Sequence, residues 1–322
     1  MHSVSEPRLS STPEPALAID HVTKRFGSFT AVDSLSFSVQ PGCIFGFLGP
    51  NGSGKTTTMR MIMSIFYPDE GSILVLGHPR AEEIKDRLGY LPEEKGLYKK
   101  MKVGEIVTYF GTLKGMDTHT AKERASQLLR DYGLGDWIDK KCETLSKGMG
   151  QKVQLLGTIV HEPDLVLLDE PFSGLDPINM EVMRDTILSM AKNGKTVIFS
   201  THVMAQAEEI CDRIFLIYKG KKLLDGTLAE VKSGGPRAIQ VDYEGDVGYL
   251  RNDPTIDRMN DSGQSAEIYL KDGEDAQDLL QKLVGKVKVR RFDLREPSLH
   301  EVYVRAVGGD VDPFTASSVE LR

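Results

Sequence analysis

Residues 49–56 read Gly49-Pro50-Asn51-Gly52-Ser53-Gly54-Lys55-Thr56 and match the phosphate-loop pattern G-x-x-x-x-G-K-[ST]. The glycines let successive backbone N–H groups turn inward as a nest for an anion. The apolar residues 43–48 before the loop predict a buried strand, and residues 56–66 after it predict a helix, whose N-terminal dipole favours bound phosphate. Lys55 is therefore expected to reach the β- and γ-phosphates of a nucleotide, and the Thr56 hydroxyl to ligate Mg²⁺.

A second feature is the run Leu165-Val166-Leu167-Leu168-Asp169-Glu170, in which four apolar residues precede two carboxylates. Residues 196–199 form a similar apolar run, and a helix is predicted between the two at residues 180–192. Strands alternating with helices in this way indicate a doubly wound α/β core. The strand end would place Asp169 beside Mg²⁺ and Glu170 opposite the γ-phosphate, where it can orient or deprotonate a water molecule.

The remaining patterns predict two further layers and a second domain. Residues 17–22 and 35–39 alternate apolar with polar side chains, which is typical of half-buried antiparallel strands. Helices are predicted at residues 118–132 and 146–161. Beyond residue 236, alternating strands are followed by a capping box at Ser298 and Glu301, before a helix with Leu299, Val302, Tyr303 and Ala306 on one face. These elements predict a small α+β domain.

The composition changes near Ser233-Gly234-Gly235-Pro236, which predicts a linker. We therefore divide the chain into four segments. They are a disordered tail at 1–15, a nucleotide-binding domain at 16–234, a small C-terminal domain at 235–308 and a flexible tail at 309–322.

Composition limits the class of protein. A chain of 322 residues with 40% hydrophobic and 27% charged residues resembles an ordinary soluble protein. Its net charge of −7 gives no general attraction to phosphate backbones, so no nucleic-acid partner is expected. The three cysteines lack metal or disulfide spacing and predict free thiols in a reducing compartment. No apolar stretch approaches the roughly 18 residues of a membrane span, and a cytoplasmic chain is expected.

A third motif, Leu145-Ser146-Lys147-Gly148-Met149, opens the helix at residues 146–161. After it come the carboxylate pair, the loop Ser173-Gly174-Leu175-Asp176 and the histidine of Ser200-Thr201-His202. With the phosphate loop at residues 49–57, these motifs stand in the order found in ATP-binding subunits of ABC transporters. The chain resembles that family over about residues 16–234.

The resemblance implies a P-loop NTPase (RecA-like) core with antiparallel β and α-helical subdomains. It implies that ATP is hydrolysed to ADP and phosphate between two subunits, this chain and a second copy or a paralogue, arranged head to tail. Ser146 and Gly148 of one protomer would then cap the ATP held by Lys55 of the other. Thr57 would complete the phosphate loop, and His202 would contact the γ-phosphate. Phe26 occupies the position of the aromatic residue that stacks on adenine, with Phe29 as a nearby rival.

Two departures from the family pattern carry charge. Glu93 stands where the family usually has the glutamine of its Q-loop, and it could accept a hydrogen bond from water or bind Mg²⁺. Lys147 and Met149 replace the usual glycine and glutamine of the signature. Both changes resemble the branch that serves drug, antibiotic and sodium exporters, which also has a small C-terminal domain.

The expected function is therefore that of an exporter's ATPase subunit, which works with a separate membrane-spanning permease. Such a subunit would be cytoplasmic and peripheral on the inner face of the cell membrane. The main alternative is a soluble ABC ATPase acting on a ribosome or a nucleic-acid machine. A non-catalytic nucleotide-binding module is a further alternative, although the presence of Glu170 and His202 argues against it.

Overall fold

The computed structural model describes residues 14–93, 96–233, 238–271 and 273–308. Contacts divide the chain between Asp225 and Gly226 into two compact units. The tail expected at residues 309–322 and residues 234–236 of the predicted linker lie outside the described part, as does nearly all of the tail expected at 1–15.

Among the described residues, the first unit contains six α-helices and nine strands, of which the last continues past Asp225 to Thr227. The strands are β1 (Leu17–Phe26), β2 (Phe29–Val39), β3 (Ile44–Leu48), β4 (Glu70–Val75), β5 (Leu88–Leu91), β6 (Leu165–Asp169), β7 (Thr196–Thr201), β8 (Arg213–Tyr218) and β9 (Lys221–Thr227). The helices are α1 (Lys55–Ile62), α2 (Val103–Leu113), α3 (Thr118–Asp131), α4 (Lys147–Ile159), α5 (Pro177–Lys192) and α6 (Met204–Ile210).

A six-stranded sheet in the order β5-β6-β7-β3-β8-β9 forms the core of this unit. Neighbours from β5 to β8 pair in parallel, and every residue of β3, β6 and β7 is buried. Strands buried on both faces read as continuous apolar runs, which is why the sequence predicted them. In the register, Leu48 lies opposite Thr201, and Asp169 lies opposite Ser200. The carboxyl ends of β3, β6 and β7 therefore meet at one edge of the sheet.

A second sheet in the order β2-β1-β4 is antiparallel, as the alternating patterns of its first two strands predicted. Its third strand, β4, was not predicted, because only Ile73 and Val75 of its residues are buried. The helices α2, α3 and α4 share a separate apolar core. Helix α2 was also not predicted, since its β-branched and aromatic residues have weak helix propensity and packing overrides that preference.

Several helix limits differ from the sequence-based prediction, and helix α5, predicted at residues 180–192, already begins at Pro177. Helix α1 begins at Lys55 and ends at Ile62, short of residue 66, and Ser64 just beyond it has a φ of 55° that no helix contains. Helix α4 begins at Lys147 because Ser146 caps it, and it ends at Ile159.

The second unit is the α+β domain that the sequence predicted. Its strands are β10 (Ala238–Glu244), β11 (Ile256–Asp261), β12 (Ser265–Leu270) and β13 (Lys288–Arg295), in the antiparallel sheet order β11-β12-β10-β13. Its helices are α7 (Leu228–Ser233), α8 (Ala276–Leu283) and α9 (Leu299–Val307). The predicted capping box of α9 is present, but Ala306 is exposed whereas Leu299 and Val302 are buried. No helix in the described parts of either unit is long and apolar enough to cross a membrane.

Candidate nucleotide site

The phosphate loop joins β3 to α1 and is anchored at both ends. The Gly49 N–H donates to the Thr201 carbonyl at 3.3 Å, and the Ser53 carbonyl accepts from the Gly220 N–H at 2.9 Å. Gly54 caps α1 with a φ of 111°, and a Cβ there would lie 2.6 Å from the Ala31 carbonyl oxygen. Only glycine fits that position, so the turn into α1 requires it.

Lys55 is buried beneath this loop. Its Nζ donates to the Gly49 carbonyl at 2.7 Å and to the Pro50 carbonyl at 3.2 Å, and it lies 3.5 Å from Glu170 Oε1. Burial lowers the pKa of the ammonium, and the Glu170 carboxylate opposes that shift. The loop therefore holds a cation at the point where the bound phosphates are expected. Asn51 and Gly52 at its tip are exposed, whereas Thr56 and Thr57 are half-buried.

Asp169 is the more deeply buried carboxylate of the pair, with 1% of its surface exposed. Its Oδ1 accepts from the Ser200 hydroxyl at 2.5 Å, whereas its Oδ2 has no hydrogen-bond partner among the described residues. Burial raises the pKa of this carboxyl, and hydrogen bonds from the Ser200 and Thr56 hydroxyls oppose the shift. The Ser53 hydroxyl is likewise buried without a partner in the described chain. Buried polar atoms without partners are costly, so this site fits a polar ligand.

Glu170 leaves β6 with a φ of 47°, a left-handed conformation that is strained for a residue with a side chain. Its N–H donates to the Ser200 hydroxyl at 3.0 Å, which holds the strained turn. Its Oε1 lies 3.0 Å from Nδ1 of His202, and an N–H there donates to the carboxylate. Ser200 thus binds the Asp169 carboxylate and the main chain of Glu170, a role that the sequence alone did not assign to it. The signal was a small polar residue ending an apolar strand.

A pocket opens beside these carboxylates. It is lined by Leu91, Pro92, Glu93, Gln151, Gln154, Asp169 and Glu170. Glu93 is exposed in the loop after β5, and its charge raises the pKa of Lys55 slightly against the effect of burial. Sequence reasoning missed Gln151, whose buried amide donates to the Pro171 carbonyl, because glutamine within a helix is not a distinctive signal.

The signature motif, residues 145–149, lies at the start of α4. Ser146 is exposed and caps the helix, and its Oγ accepts from the Met149 N–H at 3.3 Å. Gly148 is buried against the Asn179 side chain. Lys147 lies over Gly174, which has a φ of 67°, and a Cβ on Gly174 would come within 2.1 Å of the ammonium. Within one chain, the signature therefore packs on the loop that precedes α5.

Both candidate adenine-stacking rings are exposed. Phe26 ends β1 with 45% of its surface exposed and packs edge-to-face on Phe66, with ring centroids 5.6 Å apart. Phe29, which begins β2, is 62% exposed. The exposed fractions do not show which of the two rings stacks on adenine. The contact with Phe66 fixes the position of the Phe26 ring.

The fold and this site define a P-loop nucleotide hydrolase. A loop for phosphate, a buried lysine and a strand-end carboxylate pair meet at the carboxyl edge of a parallel sheet. Comparison with known proteins gives the family. The sequence pattern of the family described as "ABC transporter" matches residues 32–173. Residues 226–307 match "ATP-binding protein DrrA1-3-like, C-terminal domain".

The relatives agree with this assignment. The uncharacterized ABC transporter ATP-binding protein YhaQ of Bacillus subtilis is 39% identical over 91% of this chain and 98% of its own length. The Nod factor export ATP-binding protein I of Paraburkholderia xenovorans is 34% identical over 93% of this chain and 99% of its own. A solved ATP-binding subunit of an ABC transporter superposes with a TM-score of 0.63 at 27% identity, over 68% of this chain and 92% of that one. This chain belongs to the ABC transporter ATP-binding proteins and is an ABC-type ATPase subunit of a transporter.

Proposed function

We propose that this chain is the ATP-hydrolysing subunit of an exporter and that it couples closure of a head-to-tail dimer to export through a separate permease. The observation that carries the proposal is the convergence of Lys55, Glu170 and His202 on one point beside the phosphate loop. A regulatory module that only binds nucleotide has no need of a strained, doubly held carboxylate at this place.

In the proposed reaction, the loop N–H groups and Lys55 bind the β- and γ-phosphates of ATP. Glu170 accepts the proton of the attacking water, and His202 orients the carboxylate through its Nδ1 contact. The protein contributes mainly positioning and charge, as in other phosphoryl-transfer enzymes. Glu93, at the edge of the same pocket, is placed to orient a water molecule or to contribute a metal ligand.

Mg²⁺ fits the residues that are present. Asp169 Oδ2 is a buried carboxylate oxygen without a hydrogen-bond partner in the described chain, and the Thr56 hydroxyl lies near the same carboxyl and lowers its pKa. No group of three or more His, Cys, Asp or Glu side chains that could hold a metal occurs among the described residues. Thr56 and Asp169, with Glu93, would therefore hold the ion together with phosphate oxygens and water, as is usual for Mg²⁺. Bound there, it would neutralise charge on the phosphates.

The dimer is supported by the exposed start of α4. Ser146 and the N–H groups of the first helical turn form an anion-binding end, and Ser146 is exposed. Lys55 already provides the phosphate site of this chain. The anion-binding end at Ser146 therefore binds ATP that is held by another protomer, either a second copy or a paralogue.

The replacement Ser146→Asp tests this arrangement. In the Glu170→Gln background, we expect ATP-dependent dimer formation to weaken by at least about tenfold, because a carboxylate would face the γ-phosphate of the partner protomer. Light scattering with Mg-ATP measures the dimer. Aspartate still accepts the Met149 N–H and keeps the helix cap, so the loss would not come from unfolding.

Ser146→Asn is the matched control, since it keeps the cap without the charge. We expect it to dimerise far better than Ser146→Asp. Equal dimerisation of the two variants would show that Ser146 does not face a phosphate across a dimer interface.

Export through a permease is supported by the relatives. One relative that matches almost this whole chain is named for Nod factor export. The chain also carries a surface with aromatic rings suited to a protein partner, because Tyr98 and Tyr109 are exposed with centroids 6.1 Å apart. We propose that this surface receives the membrane subunit, which would make the chain peripheral on the inner face of the cell membrane.

Crosslinking from Tyr98→Cys tests that partner. In a chain whose half-exposed Cys43 is replaced by serine, we expect capture of one membrane protein in cells, identified by mass spectrometry. Tyr67→Cys is the matched control, because Tyr67 has the same exposed fraction of 58% and lies away from this surface in the sequence. Capture of ribosomal or nucleic-acid-binding proteins at Tyr98 would instead support a soluble ABC ATPase, and equal capture from both positions would contradict a specific surface.

A further inference from the structure

Arg60 contacts Phe66, the aromatic ring that packs on the candidate adenine-stacking ring of Phe26. It lies on α1, and its backbone carbonyl accepts from the N–H groups of Ile65 and Phe66 at 2.9 and 3.2 Å. Its guanidinium carbon lies 5.9 Å from the centroid of the Phe66 ring. Arg60 therefore holds Phe66 through the main chain and also through a cation–π contact.

The Phe66 ring in turn contacts Phe26, the ring expected to stack on adenine. Phe66 is half-buried and meets Phe26 edge-to-face at 5.6 Å, which leaves Phe26 45% exposed. An edge-to-face contact fixes the plane of a ring, and a fixed ring loses less conformational entropy when a base stacks on it. Arg60 thus contacts Phe66, and Phe66 contacts Phe26.

The guanidinium also acts on Tyr90 of β5, the strand that leads to Glu93 in the pocket. Burial and the Asp169 charge raise the pKa of Tyr90 to about 12, and the positive charge of Arg60 opposes that shift. The guanidinium therefore lies near both the Phe66 ring and the Tyr90 side chain, and its planar face suits an aromatic ring better than an ammonium group does.

We propose that Arg60 is a positioning residue for recognition of the nucleotide base, acting through Phe66 on the ring of Phe26. This inference rests on the proposed role of Phe26. It assigns a base-recognition role to a side chain that does not touch the phosphates in the proposed reaction.

The experiment compares ATP with inorganic tripolyphosphate, a probe that lacks the base. For Arg60→Met, which keeps a long apolar stem, we expect the Kd for ATP to rise roughly two- to fivefold, the range of an exposed cation–π contact. The Kd for tripolyphosphate should stay unchanged, since the phosphate loop is intact. Calorimetry or competition with a fluorescent nucleotide measures both, and Arg80→Met on the exposed surface controls for loss of one positive charge.

Three further variants distinguish positioning from a merely structural role. Phe66→Leu should weaken ATP binding to a similar extent, and the double variant with Arg60→Met should be no weaker than either single variant, because both act on one contact. Arg60→Lys should recover part of the ATP affinity through its remaining cation. Tyr90→Phe should lose part of it by removing a polar neighbour of the guanidinium.

Equal weakening of ATP and tripolyphosphate in Arg60→Met would overturn the inference, as would unchanged ATP affinity. Phe26→Leu separates this failure from a failure of the proposed site. If Phe26→Leu weakens ATP and Arg60→Met does not, only the role of Arg60 is wrong. If Phe26→Leu leaves ATP unaffected, the base does not stack on Phe26, and the inference falls with that assignment.

Discussion

Replacing Glu170 with glutamine is expected to slow ATP hydrolysis on the order of 10²–10⁴-fold while ATP still binds. Glutamine keeps the shape of the side chain and an oxygen beside His202, but it cannot accept the proton of the attacking water. The change also removes a negative charge 3.5 Å from Lys55 that would otherwise face the γ-phosphate. Release of phosphate under saturating Mg-ATP measures the rate, and calorimetry measures the binding.

The matched control for this change is Glu181→Gln. Glu181 is a glutamate on the exposed surface of α5, and neutralising it should leave the hydrolysis rate unchanged. In contrast, the Glu170→Gln variant should accumulate as a closed dimer with ATP bound. ATP that is not hydrolysed stays in the dimer and shifts the equilibrium from monomer to dimer by mass action. Hydrolysis at the wild-type rate in Glu170→Gln would show that another group acts as the base.

Replacing Lys55 with alanine is expected to weaken ATP binding by roughly ten- to a hundredfold, because charge-assisted hydrogen bonds contribute about 1.5–3 kcal/mol. The ammonium is held by two loop carbonyls within reach of the bound phosphates, and alanine leaves neither the charge nor the donors. Calorimetry with ATP measures this loss. Lys55→Met, which keeps most of the buried stem, should show the same loss and therefore separates charge from packing.

Lys114 supplies a matched control for Lys55. It is another partly buried lysine that donates to two backbone carbonyls, those of Lys85 and Leu88, and burial lowers its pKa as well. Lys114→Ala should lower the temperature of unfolding without changing the affinity for ATP. Equal loss of ATP affinity in the Lys55 and Lys114 variants would mean that general destabilisation, and not phosphate binding, explains the effect.

Different sequence patterns predicted the elements of the two units. In the first unit, continuous apolar runs predicted β3, β6 and β7, because a strand covered on both faces has no polar positions. In the second unit, alternation predicted β10 and β12, and the capping box predicted the start of α9. The elements that were missed, α2 and β4 among them, are stabilised by packing against other elements more than by their own residue preferences.

By itself, the sequence determined the features made by neighbouring residues. The phosphate loop, its glycine turn into α1 and the serine cap of α4 all depend on backbone groups within a few positions of each other. Such local hydrogen bonding follows directly from residue type and spacing. The motif order also determined the family, which the comparisons then confirmed.

Only the tertiary structure decided how the site is held together. Ser200 binds both Asp169 and Glu170 because β6 and β7 are neighbours in a register that places Asp169 opposite Ser200. The contact between Lys55 and Glu170 likewise depends on the order β6-β7-β3. Periodicity along the chain identifies a strand but contains no information on its neighbour or register. Those are set when distant segments bury their apolar faces together, and for that reason the partners of Lys55, Asp169 and Glu170 became visible only in the folded protein.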